Sequence, residues 1–295
     1  IGRGKVVMEN ILTSLKESLK IMMRNKVGFV GFIGTLFFIL LAFIGPYLMP
    51  LNMKTDLNSI YTGPTLAHPL GTDYQGRDIL MQVLHGGREV IYVALMAALL
   101  TVLIAATFGA LAAVVGGIVD TLLNGLAEII ITIPHFPLLL VLASLIKFKS
   151  ATGLAVILAA IGWGGLMRAI RAQVLSLKER DYVEAARVLG LPISHIIFKE
   201  ILPNMLSYIS VQFILSMTGA IYAQVGLIFL GVVPMEQHNW GVMITLAWNQ
   251  GALFNPKAQW YLLVPITIIV LLQLSLITMT RSMEELFNPR LRRGG

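Results

Sequence analysis

Five histidines, 15 aspartates and glutamates and no cysteine are the groups from which this 295-residue chain could build acid–base, metal or nucleophile chemistry. Without a thiol there is no disulfide framework, thiolate metal site or cysteine nucleophile. His135 stands inside an apolar run with no second histidine or carboxylate at i+4, so it supports no metal site. It reads more readily as a packing histidine than as a proton relay or ligand. Glu128 lies near one end of the same run. A carboxylate at the bilayer centre costs about 2.5–3.5 kcal/mol, so a boundary position is expected for it. The G-x-x-x-x-G-K-[ST] phosphate loop, the G-x-S-x-G elbow and the H-E-x-x-H zinc motif are all absent. The chain is expected to catalyse no covalent step. Moving a solute uphill then requires an ion gradient or a partner.

The most informative polar stretch is Arg168 to Pro203. Asp181 can accept from the Glu184 amide while Glu184 reaches back, a capping-box arrangement that predicts a short helix. It runs through Ala185, Ala186, Arg187, Val188 and Leu189 to Gly190, which can take the left-handed C-terminal turn, with Pro192 beyond. Ser194 is placed to cap a second helix through Ile197, Phe198 and Ile201 toward Pro203. The expected result is a compact two-helix knob. A plain solvated loop needs no apolar Val188, Leu189, Leu191, Ile193, Ile196 and Ile197, and such side chains exposed on a knob point to a protein partner.

The elements that position these groups follow from composition. Apolar residues make up 57 % and charged residues 13 %, more apolar side chain than a water-soluble fold of this size hides. Six uncharged runs suit a bilayer-crossing helix of about 20 residues: Val27 to Met53, Val90 to Val119, Ile129 to Ile146, Ser150 to Met167, Ile201 to Met235 and Ala258 to Thr280. A seventh, Gln237 to Pro256, carries too many amides for lipid and reads as a folded loop with a short helix near Val242 to Trp248. Gly109, Ala113 and Gly117, four residues apart, suit close helix packing. Pro134-His135-Phe136-Pro137 predicts a kinked or broken helix, serving either packing or the lining of a path, so Pro134, His135 and Pro137 are candidate path residues.

The net charge of +7 would suit nucleic acid, but its distribution is a topology signal. With the N-terminus inside, Lys and Arg number six in residues 1–26, none in an expected 120–128 turn, six in 168–200 and four in 281–295. The opposite side holds three in 54–89, Lys147, Lys149 and Lys257. This bias predicts both termini in the cytoplasm. The first run is too long for a signal-peptide core and is expected to stay as an anchor. Before it, Met8, Ile11, Leu12, Leu15, Leu19 and Met22 fall on one face and Lys16, Lys20 and Arg24 on another, giving an amphipathic helix in the headgroup region, or a plain cytosolic one.

Glu184-Ala185-Ala186, Gly190 and Leu202-Pro203 resemble the EAA loop of ABC importer membrane subunits, whose elbow docks into a cleft on the ATPase subunit. One position departs: Glu200 stands where an isoleucine often precedes the Leu-Pro. His68-Pro69-Leu70-Gly71-Thr72-Asp73 with Gly76-Arg77-Asp78, then Gly86 and Arg88, resemble the extracellular segment of the dipeptide and oligopeptide branch. Ile133-Pro134, Phe229-Leu230-Gly231, Trp240-Gly241 and Asn288-Pro289-Arg290-Leu291-Arg292 fit as well. Without the family, Gly71 to Asp78 reads as a turn-rich outer loop.

The resemblance implies an all-α membrane protein with six transmembrane helices, the type I ABC importer permease fold and a cytoplasmic coupling-helix loop. It divides the chain into an amphipathic N-terminal helix 1–26, a first span 27–48, an extracytoplasmic loop 49–89, a five-helix core 90–280 containing the coupling loop 168–203, and a tail 281–295. Glu184, Ala185, Ala186, Gly190, Leu202 and Pro203 are the implied ATPase-coupling residues. The implied partners are the lipid bilayer, a second homologous permease, two ATPase subunits and an extracytoplasmic substrate-binding protein, with no nucleic acid. The chain itself has no implied cofactor or ATPase site; ATP and Mg belong to the ATPase subunits. The implied cargo is peptide, with oligosaccharides or nickel as alternatives. An ion-coupled secondary transporter is the rival class, poorly served by so few buried carboxylates. An intramembrane enzyme lacks a recognisable nucleophile or metal pair.

Overall fold

The computed structural model describes residues 17–146, 150–233, 236 and 238–287. Met8 to Lys16 of the amphipathic N-terminal stretch, Lys147, Lys149, Gln237 and the Asn288 to Arg292 motif lie outside the described residues. The long uncharged runs become helices because lipid offers no partner to a bare peptide group. These are α1 (Lys26–Leu48), α2 (Ile79–Val115), α3 (Gly117–Thr132), α4 (His135–Leu145) and α5 (Ala151–Leu177). A short α6 (Asp181–Val188) follows, then a helical stretch from Ile193 that runs into α7 (Leu206–Phe229), α8 (Trp240–Asn249) and α9 (Gln259–Phe287).

Among the described residues, five helices are long and apolar enough to cross a membrane: α1, α2, α5, Ile193–Phe229 and α9. The sixth span is the pair α3 and α4, bent by 87° where Ile133 and Pro134 interrupt the ladder. Pro134 and Pro137 lack amide donors, so the predicted break is there.

Three expected boundaries move. The loop after α1, expected to run to residue 89, ends at residue 78, because Asp78 caps α2 by accepting from the Met81 amide at 3.0 Å. No turn spans 120–128: α2 and α3 meet at Gly116 and Gly117, both at positive φ, which only glycine adopts cheaply. Gly117 therefore belongs to that turn and not to a packing stripe, whereas a Cβ on Gly109 would stand 2.7 Å from the Met167 carbonyl. The fifth span begins near Ile193 rather than Ile201 and ends at Phe229. The short helix expected near Val242 to Trp248 is present but longer, Trp240–Asn249, capped by Asn239 on the Gly241 amide.

The stretch Gly71 to Asp78 is more than a turn. Asp73 and Arg77 are both buried and paired at 2.7 Å, and Asp73 also accepts from the Gln82 amide group at 3.0 Å. Tyr74 and Tyr261 stand beside them with ring centroids 6.0 Å apart. Such a pair is tolerable under cover because each charge finds its partner and further hydrogen bonds.

Candidate functional site

α5 does not end at the charged residues: it carries Arg168 and Arg171 on to Leu177 and delivers the chain to the knob. The predicted capping box is absent. Arg180 is the N-cap residue, its carbonyl accepting from the Val183 and Glu184 amides at 2.9 and 3.1 Å, and Asp181 is already helical. Asp181 and Glu184 instead place negative charge in the first turn, where the helix dipole favours it. The C-terminal turn is as expected. Leu191 N–H donates to the Ala186 carbonyl, Gly190 N–H to the Arg187 carbonyl, and Gly190 has φ +70°. Ser194 caps nothing: Pro192 occupies the N-cap position and Ser194 lies within the turn Ile193–His195. Beyond it the chain widens into a π segment, Ile196–Ile201, and a 3₁₀ turn, Leu202–Met205. Pro203 cannot donate to the preceding turn, and the Leu202 amide bonds the Ile197 carbonyl. Glu200 faces His195 at 3.4 Å.

The knob has two faces. Val183, Ala186, Ile196, Ile197 and Ile201 are buried in one cluster with Met167, Ile170 and Val174 of α5 and Ala110 and Ala113 of α2. Ile196 and Ile197, expected on the exposed face, therefore anchor the knob. The other face presents Val188 at 82 % and Leu189 at 75 % exposure, with Ile193 and Phe198 nearly half exposed or more. Of the candidate coupling residues, Glu184, Ala185 and Gly190 are exposed beside this elbow. Ala186 points inward, and Leu202 and exposed Pro203 lie where the knob returns to α7.

At the far end of α3, a cavity of about 630 Å³ opens between α2, the α3–α4 break, α5 and α7. Its polar lining consists of Thr101, His135, Ser216 and Tyr222; Gly162, Gly219 and Gly226 supply small surfaces. His135 and Phe136 line it, while Pro134 and Pro137 shape the break without being part of the lining. His135 is exposed to this space rather than packed in the core, contrary to the expectation of a packing histidine. Glu128 is exposed on α3. The buried Gln224 of α7 donates to the Val90 carbonyl of α2 at 2.8 Å, holding together two of the helices that wall the cavity.

Sequence reasoning missed one pair near the knob. Arg171 forks onto both oxygens of Asp120, 51 residues away, and Asn124 also donates to that carboxylate. An acid and a base in separate runs carry no local spacing signal.

The sequence profile described as the binding-protein-dependent transport system inner membrane component matches residues 105–293. A second, the N-terminal TM domain of oligopeptide transport permease C, matches residues 13–64. The dipeptide transport system permease protein DppC of Bacillus subtilis (strain 168) is 31 % identical over 288 residues, covering 96 % of this chain and 88 % of that protein. The oligopeptide transport system permease protein OppC of Haemophilus influenzae is 33 % identical over 246 residues, covering 82 % and 78 %. The OppC protein of Bacillus subtilis is 28 % identical over 294 residues, covering 99 % and 95 %. The all-helical architecture with up to six apolar membrane-crossing units agrees with these matches: this multi-pass membrane chain belongs to the family of binding-protein-dependent transport system inner membrane components, the permease subunits of ABC importers.

Proposed function

We propose that this chain forms half of the membrane path of a peptide importer, taking cargo from an extracytoplasmic binding protein and working with a second, homologous permease and two ATPase subunits. The peptide cargo is inferred from the relatives, whose names specify dipeptide or oligopeptide transport. ATP and Mg²⁺ act in the ATPase subunits, since this sequence holds no phosphate cradle. Both termini face the cytoplasm in this reading, with the knob on the same side, and the Lys and Arg asymmetry supports it.

The observation that carries this reading is the division of the knob into a buried face and an exposed apolar elbow. A rigid element anchored on one side and apolar on the other is built to receive force from a partner protein. In the cycle, closure of the ATPases displaces the elbow around Gly190 and turns the cavity outward; hydrolysis resets it. Glu184 and Ala185 meet the ATPase, Ala186 and Gly190 set the elbow's shape, and Leu202-Pro203 return the movement to the fifth span. His135 borders the path.

Replacing Val188 and Leu189 together by Asp tests the reading. The double variant is expected to insert normally yet lose its ATPase subunits on purification, since truncating an apolar anchor at an interface centre costs about 2 kcal/mol or more. Undiminished co-purification would contradict it.

A further inference from the structure

Helix α3 is tied to α5 at two levels. Near its middle, Ala127 is the only fully buried side chain of α3, and a Cβ on Gly164 of α5 would stand 3.1 Å from the Ala127 carbonyl. Near its start, Arg171 of α5 forks onto Asp120, with Nε to Oδ1 at 2.5 Å. Asp120 to Ala127 and Gly164 to Arg171 are both seven residues, about 10 Å of helix, so the antiparallel helices are in register across both ties. α3 then continues five residues, about 8 Å, to Thr132 and the break that puts His135 and Phe136 into the cavity wall.

Arg171 is also the neighbour of Ile170 and lies one turn before Val174, two residues of α5 that are buried in the same cluster as Val183, Ile197 and Ile201 of the knob. From this geometry we infer that Asp120 and Arg171 are a positioning pair that transmits displacement of the knob to the cavity. Moving the cytoplasmic end of α5 drags Asp120, and α3, pivoting where Ala127 meets Gly164, moves the break at its opposite end. A planar fork on a carboxylate resists sliding in a way that a single apolar contact does not. Because the side chains are 28 % and 23 % exposed, the pair supplies geometry more than stability. Lys178, whose ammonium lies 3.4 Å from the Ala113 carbonyl, leaves the fork to Arg171.

The inference rests on the coupling role proposed for the knob, and the test separates the two. In the complete importer reconstituted in vesicles, Arg171→Gln and Asp120→Asn are expected to keep binding-protein-stimulated ATP hydrolysis within about twofold of wild type. Cargo taken up per ATP falls about fivefold or more, the low end of coupling between distant sites. Arg171→Lys, which keeps charge without the fork, falls between, and the swap Asp120→Arg with Arg171→Asp regains uptake per ATP. Spin labels on cysteines at Ser194 and Thr132 give the second readout: ATP moves both in wild type, and only Ser194 in Arg171→Gln. Unchanged uptake per ATP in Arg171→Gln, or hydrolysis and uptake falling together with the amount of inserted chain, would overturn the inference. If Gly190→Val leaves stimulated hydrolysis intact, the knob's coupling role fails. If it abolishes hydrolysis while Arg171→Gln transports normally, only the role of the pair fails.

Discussion

A Cβ on Gly86 would stand 1.9 Å from the His238 carbonyl, so the loop before α8 reaches α2 only because residue 86 has no side chain. Trp240 completes the contact, its indole N–H donating to the Val83 carbonyl at 2.9 Å. The His238 imidazole is half-buried there, and burial pushes its pKa below the ordinary 6.5, reinforced by His85 and opposed by Glu236. Between the folded value and 6.5 the unfolded loop binds more protons than the folded one, so stability is full above 6.5 and declines as pH falls through the folded value. The protection of the amides of Asn239 to Val242, their exchange taken relative to the base-catalysed intrinsic rate at each pH, is therefore expected to be weaker at about pH 5.5 than at about pH 7.5, with the pH dependence flattened in His238→Gln. Identical protection at the two pH values in the wild type would contradict this. Burial of this kind was not legible in the sequence. Asp73 and Arg77 read as turn residues because Tyr261, which stands beside them, comes from the last span.

Helix boundaries in the sequence were cut at charges, and that rule fails where a charge is paired or caps. Asp120 marked the end of a span, yet Arg171 meets its carboxylate and α3 runs straight through it. Arg88 and Glu89 marked the start of the second span, yet α2 begins ten residues earlier at the Asp78 cap; Glu89 accepts from Asn239 at 2.6 Å. Proline and glycine were better guides, because they act through the backbone alone: Pro134 marks the break and Gly190 the elbow. The docking of α1 on α9 was hidden for another reason, since its glycine face has meaning only against its partner. Cβ atoms on Gly28, Gly31 and Gly34 would meet Ser282, Thr278 and Ser275 of α9, and Asn25 donates to Glu285 at 3.0 Å. On Gly31 the clash includes the Met279 amide nitrogen at 2.5 Å and the Ser275 carbonyl at 2.7 Å, neither of which can rotate away. Gly31→Ala is expected to part α1 from α9 and lower the chain's thermal midpoint, at a cost of about 1–3 kcal/mol. A midpoint equal to wild type would show that the helices do not approach so closely in the bilayer.

At the scale of the molecule, six spans, a folded loop before the last of them and a knob between the fourth and fifth were all legible, because lipid forces apolar length and backbone satisfaction into the primary sequence. The cavity was not, since its walls come from α2, α5 and α7 as well as the break, and no local pattern joins them. The central claim is that the knob couples partner ATPases to the path, and Gly190 tests it most directly. Its φ of +70° costs a β-branched residue about 1–2 kcal/mol, while nothing lies within 4 Å of the Cβ position, so a substitution there strains the elbow's backbone without a clash. The measurement is binding-protein-stimulated ATP hydrolysis and cargo uptake by the complete importer in vesicles carrying Gly190→Val or Gly190→Asn, at equal amounts of inserted chain. Both activities should fall together in Gly190→Val and stay near wild type in Gly190→Asn, because asparagine tolerates the left-handed conformation. Wild-type hydrolysis and uptake in Gly190→Val would contradict the coupling role and leave the knob a structural connection.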